Sequence, residues 1–284
     1  MAPAPVHVVA GALVDPAGRV LIAERPPGKA QAGRWEFPGG KRHERESPRE
    51  ALARELMEEL GIELGAAEPL LAVTHHYAGA AAPVLIDCWR VESWRGELKC
   101  LDGQRLRWCT LPELAAADIL EADRSIVTAL LLPPLLVRVE LEGAAEASRR
   151  ASIRGERVGW LIDGAAAQAP LLARCAADGG TPLLIDPLRA AGGLGAVYTE
   201  ATRFVRSTER LAPAGLVVKD AAEAAAALAA GADFLLVAER QLPPGTLAKV
   251  AATGLPWYLN VVRPKAADEP PATGRLWWRA SAGR

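Results

Sequence analysis

Three glutamates, Glu55, Glu58 and Glu59, lie within five residues directly after Arg54. In a helix, which turns about 100° per residue, the three carboxylates would share one edge about 100° wide. Carboxylates this close repel one another unless a cation lies among them. A hard divalent cation such as Mg²⁺ prefers oxygen ligands and also takes phosphate oxygens, and Mn²⁺ is an alternative. A solvated Glu/Arg helix face is the competing explanation of the three acids alone.

The flanking residues predict the helix that this arrangement needs. Ser47 and Glu50 have the spacing of a capping box, with Pro48 between them at the first helical position. Gly61 is typical of the left-handed residue that ends a helix. Arg54 lies one turn before Glu58 and can pair with it. The stripe next to the acids is apolar and is expected to bury against a sheet: Leu52, Leu56 and Leu60.

From Gly40 to Ile62 the chain fits the pattern G-x5-E-x7-R-E-U-x-E-E-x-G-U, in which U is a bulky aliphatic residue, at all nine fixed positions. This pattern is the Nudix box, and the chain resembles the Nudix hydrolases. The preceding segment, Arg34-Trp-Glu-Phe-Pro-Gly-Gly-Lys41, resembles the MutT group, which sanitises damaged nucleoside triphosphates. The resemblance implies a metal site formed by the Gly39 carbonyl, Glu55, Glu58 and Glu59, with Arg54 as a further catalytic residue.

The resemblance also implies site residues outside the box. Asp102, which precedes Gly-Gln, is expected to be the general base or a ligand, and Glu59 competes for the role of base. Arg25 and Lys41 are expected to neutralise phosphate charge, which suits the guanidinium fork of an arginine. The base and sugar pocket is expected to be shaped by Glu36, Phe37, Pro38 and Gly39.

Two positions depart from the MutT pattern where the base is read. Asp123 stands where relatives have an asparagine, and Ala82 stands where close relatives have an arginine. An ionised aspartate can only accept hydrogen bonds unless burial raises its pKa. It can therefore accept the N7–H that distinguishes 8-oxoguanine from guanine. The base preference is left open by these two positions.

Length and composition predict a two-domain cytoplasmic protein. A net charge of −1 gives no bulk attraction to a nucleic acid polymer or to a membrane, and no apolar run is long enough to span one. Four cysteines without CxxC or metal-ligand spacing are expected to be reduced. His75 and His76 would face opposite ways in a strand, which argues against a two-histidine metal site. A homodimer is an open expectation.

The pattern of elements predicts an α/β protein. Residues 1–132 are expected to form a Nudix α/β/α sandwich with a mixed sheet, with strands in 10–25, 70–77, 84–92 and 105–109 and a mostly helical stretch from Glu113 to Leu132. Leu132-Pro133-Pro134 is the expected linker. In residues 135–284, eight short apolar runs and a helix over Asp220–Ala230 predict parallel strands. Segments from Gly195 and Gly215 resemble thiamine phosphate synthase/TenI-like barrels, which implies a shortened, degenerate TIM-barrel-like domain.

The expected reaction is therefore Mg²⁺-dependent hydrolysis of an oxidised nucleoside triphosphate such as 8-oxo-dGTP to the monophosphate and pyrophosphate. Such an enzyme would cleanse the nucleotide pool for DNA replication and repair. A first alternative keeps this chemistry but uses pyrophosphates of thiamine metabolism as substrates. A second assigns the C-terminal domain a ligand-binding, structural or dimerisation role.

Overall fold

The structure is a computed structural model that describes residues 3–133, 135–138, 158–163, 181–185, 187, 195–199, 201–204, 213–237, 245–260 and 274–277. The chain divides into two compact units, residues 1–127 and residues 128–284. In the described residues no helix is long and apolar enough to cross a membrane.

Unit 1 combines nine strands with short helices. The strands are β1 Val6–Leu13, β2 Val20–Glu24, β3 Trp35–Glu36, β4 Gly39–Lys41, β5 Glu63–Leu64, β6 Ala67–His75, β7 Val84–Val91, β8 Trp94–Arg95 and β9 Leu106–Cys109. The helices are α1 Pro48–Leu60, α2 Leu111–Ala116 and α3 Arg124–Leu131, which continues into unit 2, with a 3-10 helix over Glu121–Asp123.

Helix α1 begins and ends where its capping residues predict. The Ser47 side chain accepts a hydrogen bond from the Glu50 N–H and the Glu50 carboxylate accepts one from the Ser47 N–H, which completes the capping box. Gly61 ends the helix in the left-handed conformation, at φ 67° and ψ 27°. The apolar stripe is fully buried against β1, β2 and β7 in a core formed by Leu52, Leu56, Leu60, Val9, Leu13, Leu21 and Val91.

The main sheet of unit 1 has the order β4-β1-β7-β6 and is mixed, as predicted. β1 runs parallel to β7 over eight residue pairs, from Val6↔Val84 to Leu13↔Val91, and antiparallel to β4. A second sheet, β3-β2-β9, is antiparallel. β1 starts four residues before the expected strand because its pairing with β7 extends through Val6.

The stretch from Glu113 to Leu132 is not one helix but three short helical segments. The interruption has a hydrogen-bonding cause. The Asp118 carbonyl accepts from Trp35 N (3.0 Å) and Leu120 N donates to the Trp35 carbonyl (2.9 Å). These backbone groups pair with β3, so they cannot continue the i→i−4 ladder of a helix. Residues 118–120 are thereby attached to β3.

The described residues of unit 2 form eight parallel strands: β10 Leu135–Arg138, β11 Val158–Asp163, β12 Thr181–Ile185, β13 Gly195–Tyr198, β14 Ala214–Val218, β15 Phe234–Val237, β16 Trp257–Asn260 and β17 Gly274–Trp277. They pair in sequence order, and β17 pairs with β10, which closes the ring. Each of the eight predicted apolar runs overlaps one strand. Described helices connect two pairs of strands, α4 Ala221–Ala229 and α5 Thr246–Ala251.

One core of unit 2 contains the predicted linker residue Leu132. Leu132 is 3% exposed and belongs to a cluster with Leu136, Phe234 and Tyr258, and the Tyr258 hydroxyl donates to the Pro133 carbonyl at 2.6 Å. The boundary between the compact units therefore falls before this segment, at residues 127 and 128.

Candidate active site

Two glycines bring the backbone of β4 directly against the acidic edge of α1. A Cβ on Gly39, whose φ is 147°, would lie 2.1 Å from the Val9 carbonyl oxygen. A Cβ on Gly40 would lie 2.4 to 2.5 Å from the Glu55 carboxylate. Neither position can accept a side chain without a displacement of its neighbours. The carboxylate of Glu55 thus occupies the space that only a glycine leaves open.

Arg54 organises the carboxylates at the start of this edge. Its Nε and Nη2 donate to the two oxygens of Glu46, at 2.7 and 3.0 Å. Its Nη1 donates to Glu55 (2.9 Å) and to Glu58 (3.0 Å), the predicted i,i+4 partner. Nη2 also donates to the Lys41 carbonyl at 3.0 Å. The bidentate bond to Arg54 lowers the pKa of Glu46 to about 2.

Glu59 lies apart from this arginine, further along the same edge. Its Oε2 accepts a hydrogen bond from the Gly39 N–H at 3.0 Å. Burial raises the pKa of Glu59 to about 7, and the negative charges of Glu55, Glu36 and Asp102 add to that rise. A carboxyl group with this pKa is half protonated at neutral pH. Its environment therefore disfavours the isolated negative charge, which either a proton or a bound cation would neutralise.

The segment before Asp102 is fixed to the end of α1. Lys99 N donates to the Leu60 carbonyl (2.9 Å) and Leu101 N donates to the Glu59 carbonyl (3.0 Å). The last carbonyls of a helix have no partner within it, so the loop satisfies two of them. The attachment brings the exposed side chain of Asp102 close enough to Glu59 to raise its pKa.

A cleft opens beside Glu59 and Asp102. Its lining residues come from β2 and the following loop, from the β3–β4 connection, from α1 and from the segment before β9: Ala23, Glu24, Pro26, Lys29, Glu36, Phe37, Pro38, Glu59, Asp102 and Gln104. Five of them, Glu36, Phe37, Pro38, Glu59 and Asp102, are among the predicted site residues.

Arg25 and Glu36 are paired at the side of this cleft. Arg25 Nη1 forms a short ion pair with Glu36, and Arg25 Nε donates to the Ala30 carbonyl at 2.8 Å. Burial raises the pKa of Glu36, and the positive charges of Arg25 and Lys29 oppose that rise. The predicted phosphate-binding arginine is therefore engaged within the protein on two sides.

Asp123 lies behind Phe37, at the end of the segment that β3 holds. Arg34 Nη2 donates to the Ile119 carbonyl (2.6 Å) and to Asp118 (3.2 Å), and the 3-10 helix then turns Asp123 inward. Its Oδ2 accepts from the Phe37 N–H at 3.3 Å, and the residue is 5% exposed. Burial, with the charge of Glu36, raises its pKa to about 7.

The comparisons with known proteins agree on the class of this site. Residues 9–129 match the family model described as NUDIX domain. A CTP pyrophosphohydrolase of Escherichia coli K12 is 36% identical over 123 residues, which cover 43% of this chain and 90% of that protein. The chain belongs to the Nudix family. Two 8-oxo-dGTP diphosphatases are also similar: that of Proteus vulgaris is 38% identical over 92 residues (32% of this chain, 80% of that protein), and that of E. coli K12 is 30% identical over 127 (44% and 95%).

The prediction that the chain is a Nudix hydrolase is thereby confirmed, and the matched residues all lie before residue 130. The individual roles of the Nudix site residues remain predictions. The fold brings Gly39, Glu55, Glu58 and Glu59 to one edge with Arg54, and Asp102 to the same end of the cleft. Lys41 is exposed on β4, and Ala82 is half-buried before β7.

The acidic edge suits a hard divalent cation in its chemistry. In the described residues, no three His, Cys, Asp or Glu side chains are already arranged around one point. Arg54 occupies the space among Glu46, Glu55 and Glu58, as its hydrogen bonds show. Glu59, whose pKa is raised mainly by burial, nevertheless lies on this edge beside the Gly39 backbone, and carboxylate and carbonyl oxygens are the ligands that such a cation prefers.

Sequence reasoning assigned no role to two residues that line the cleft, Lys29 and Gln104. No motif marked Lys29, whereas Gln104 belongs to the Asp-Gly-Gln segment that marked Asp102. Tyr77 follows β6, and burial and the negative charge of Asp123 raise its pKa. His75 contacts the Tyr77 ring edge-on. Cys88, Cys100 and Cys109 are free thiols, and Cys175 lies outside the described residues.

Proposed function

We propose that unit 1 catalyses Mg²⁺-dependent hydrolysis of nucleoside triphosphates to the monophosphate and pyrophosphate, with 8-oxo-dGTP as the favoured substrate. The observation that carries the proposal is one cleft with two kinds of carboxyl group. Glu59 and Asp102 border it beside the acidic edge of α1, whereas Asp123 is buried behind its lining residue Phe37. In the proposed binding mode the polyphosphate approaches Glu59 and Asp102, and the base approaches Phe37 and Asp123.

The residues proposed to hold Mg²⁺ are Glu55, Glu58, Glu59 and the Gly39 carbonyl, and Mn²⁺ is expected to replace it. Bound Mg²⁺ would neutralise phosphate charge and lower the pKa of a water molecule. Asp102 and Glu59 both border the cleft and are the two candidates for the proton acceptor. When Glu59 holds the metal it is ionised and coordinated, which leaves the role of base to Asp102.

Asp123 is proposed to read the base, and its raised pKa gives it two forms near neutral pH. Ionised, it accepts the N7–H of 8-oxoguanine; protonated, it donates to a ring nitrogen or a carbonyl oxygen. The similarity to a CTP pyrophosphohydrolase makes cytidine nucleotides the second candidate substrates. A protonated carboxyl can donate to N3 of cytosine while its other oxygen accepts from the N4 amino group.

A panel of nucleotides with Mg²⁺ tests this proposal. We expect 8-oxo-dGTP to be turned over with a higher kcat/KM than dGTP, CTP, dCTP or thiamine pyrophosphate, with release of pyrophosphate or, for the last, phosphate. Glu59→Gln should lower kcat at least about a hundredfold. Glu63→Gln, an exposed glutamate on β5, is the matched control. Retained turnover in Glu59→Gln would refute the assignment of the catalytic edge.

For unit 2 we propose a TenI-like, TIM-barrel-like partner domain over residues 135–284 that lacks catalysis. Support comes from the packed core of its parallel strand ring, in which Phe234 and Tyr258 contact edge-on and a Cβ on Gly215 would lie 2.5 Å from the Phe234 ring. The competing thiamine-pyrophosphate hypothesis predicts that thiamine pyrophosphate gives the highest kcat/KM in the same panel.

A further inference from the structure

The cleft carries more negative than positive charge. Among the described residues that line it, Glu24, Glu36, Glu59 and Asp102 are acidic, and Lys29 is the one basic residue. A triphosphate entering such a cleft is repelled unless cations offset its charge. Metal at the acidic edge of α1 offsets charge at one end. The opposite side of the cleft needs a cation of its own, and Lys29 is the lining residue that can supply it.

Arg25, the residue expected from sequence to meet phosphate, closes a loop instead. Its backbone N–H donates to the Arg34 carbonyl (2.9 Å), and its carbonyl accepts from Gly33 N (3.0 Å). Its guanidinium holds Glu36 on one side and the Ala30 carbonyl on the other. These bonds engage Nε and Nη1, with the exposed Ala30 carbonyl and the half-buried Glu36 as acceptors. Together with the backbone bonds they fix the start and end of residues 26–33.

Lys29 lies at the tip of the loop that Arg25 closes. Its N–H donates to the Pro26 carbonyl at 3.3 Å, and Gly28 before it has a φ of 91°, so the backbone turns at this point. The side chain is exposed, and no ion pair within 4 Å joins it to any residue in the part of the chain that the structure describes. It lines the cleft together with Glu36, and its positive charge lowers the pKa of that carboxyl group.

We infer that Lys29 contacts a phosphate group of the bound nucleotide and that Arg25 is a positioning residue that presents it. The inference rests on the proposed function of unit 1, because that function supplies the polyphosphate. An ammonium on a flexible stem suits a phosphate whose position varies with the base, whereas the planar guanidinium of Arg25 is matched to two fixed acceptors.

Steady-state kinetics of four variants test this division of roles on the triphosphate that wild type hydrolyses best. Lys29→Ala should raise KM about tenfold and change kcat less than threefold, and Lys29→Arg should restore KM to within threefold of wild type. Arg25→Lys keeps the charge but cannot hold Glu36 and Ala30 together, so it should impair KM as much as Lys29→Ala does. Lys249→Ala removes an exposed lysine of α5 in unit 2 and should change nothing.

An unchanged KM in Lys29→Ala overturns the inference, and so does an Arg25→Lys variant with wild-type KM, since a charge alone would then suffice at Arg25. Both results are distinct from a failure of the proposed function, in which wild type hydrolyses no nucleotide. In that case calorimetric titration with inorganic tripolyphosphate and Mg²⁺ tests whether Lys29 contacts phosphate. A Kd about tenfold weaker in Lys29→Ala than in wild type and Lys249→Ala supports the contact, and equal Kd values refute it.

Discussion

Replacement of Asp123 by asparagine is expected to stabilise unit 1 more in alkaline than in acidic solution. Burial and the charge of Glu36 raise the pKa of Asp123 from 3.8 to about 7. The folded state therefore keeps a proton that the unfolded chain loses, and stability falls as the pH rises between these two values. A tenfold change in proton affinity corresponds to about 1.4 kcal/mol. The ionised carboxylate accordingly costs about 4 kcal/mol above pH 7.

Asparagine has nearly the same shape and keeps an oxygen for the Phe37 N–H, but it cannot ionise. Its buried amide NH₂ needs a partner, and an unmet one costs about 1–3 kcal/mol at every pH. That constant cost cancels when the two pH values are compared. The difference in unfolding free energy between Asp123→Asn and wild type should thus change by about 4 kcal/mol from pH 4 to pH 8.5.

Urea unfolding with pulsed hydrogen exchange, read on peptides from α1, measures unit 1 separately from unit 2. Asp118→Asn is the matched control, because Asp118 lies in the same segment with its side chain 72% exposed. The difference in unfolding free energy between Asp118→Asn and wild type should change little with pH. A change smaller than about 1 kcal/mol in Asp123→Asn would mean that Asp123 is ionised at neutral pH without penalty, which would refute its role as a two-state reader of the base.

Two further substitutions test the acidic edge. Gly40→Ala places a Cβ 2.4 to 2.5 Å from the Glu55 carboxylate. Because Glu55 would be displaced, kcat/KM measured by steady-state kinetics should fall at least about tenfold. An unchanged kcat/KM would show that Glu55 can move away freely. Arg54→Leu frees Glu46, whose pKa of about 2 contributes stability that is present above pH 4.5 and is lost as the pH falls towards 2. Acid unfolding of this variant should therefore depend less on pH in that range than wild type does, and an identical dependence would contradict the ion pair.

The sequence predicts α1 and its acidic edge well because their determinants are local. Ser47, Glu50 and Gly61 act on the backbone within five residues of themselves, and helical periodicity alone brings Glu55 and Glu59 to one edge. The strands of unit 2 could be predicted equally well from the sequence. Strands of a parallel sheet are buried on both faces, so each one forms a short apolar run.

The parts that could not be predicted depend on residues far apart in the chain. The bond between Arg25 and Glu36 links two strands through a loop, so the expected phosphate ligand and the expected pocket residue satisfy each other. The burial of Asp123 requires backbone bonds from residues 118–120 to β3, which also interrupt the stretch that was expected to be mostly helical. Neither spacing nor composition marks such pairings, because each is fixed only when the sheet forms.

Glu36 connects the two ends of the site. Burial is the main cause of the raised pKa values of Glu59, at the proposed metal site, and of Asp123, at the proposed base site, and the negative charge of Glu36 adds to both. Arg25 and Lys29 lower the pKa of Glu36 itself. A folded protein gains no stability from three mutually repelling carboxyl groups with raised pKa values in one region, and functional sites are where such clusters occur. Because Glu36 acts on both ends, a change in its charge should alter base preference and proton uptake together. A pocket built of independent parts would allow the two properties to change separately.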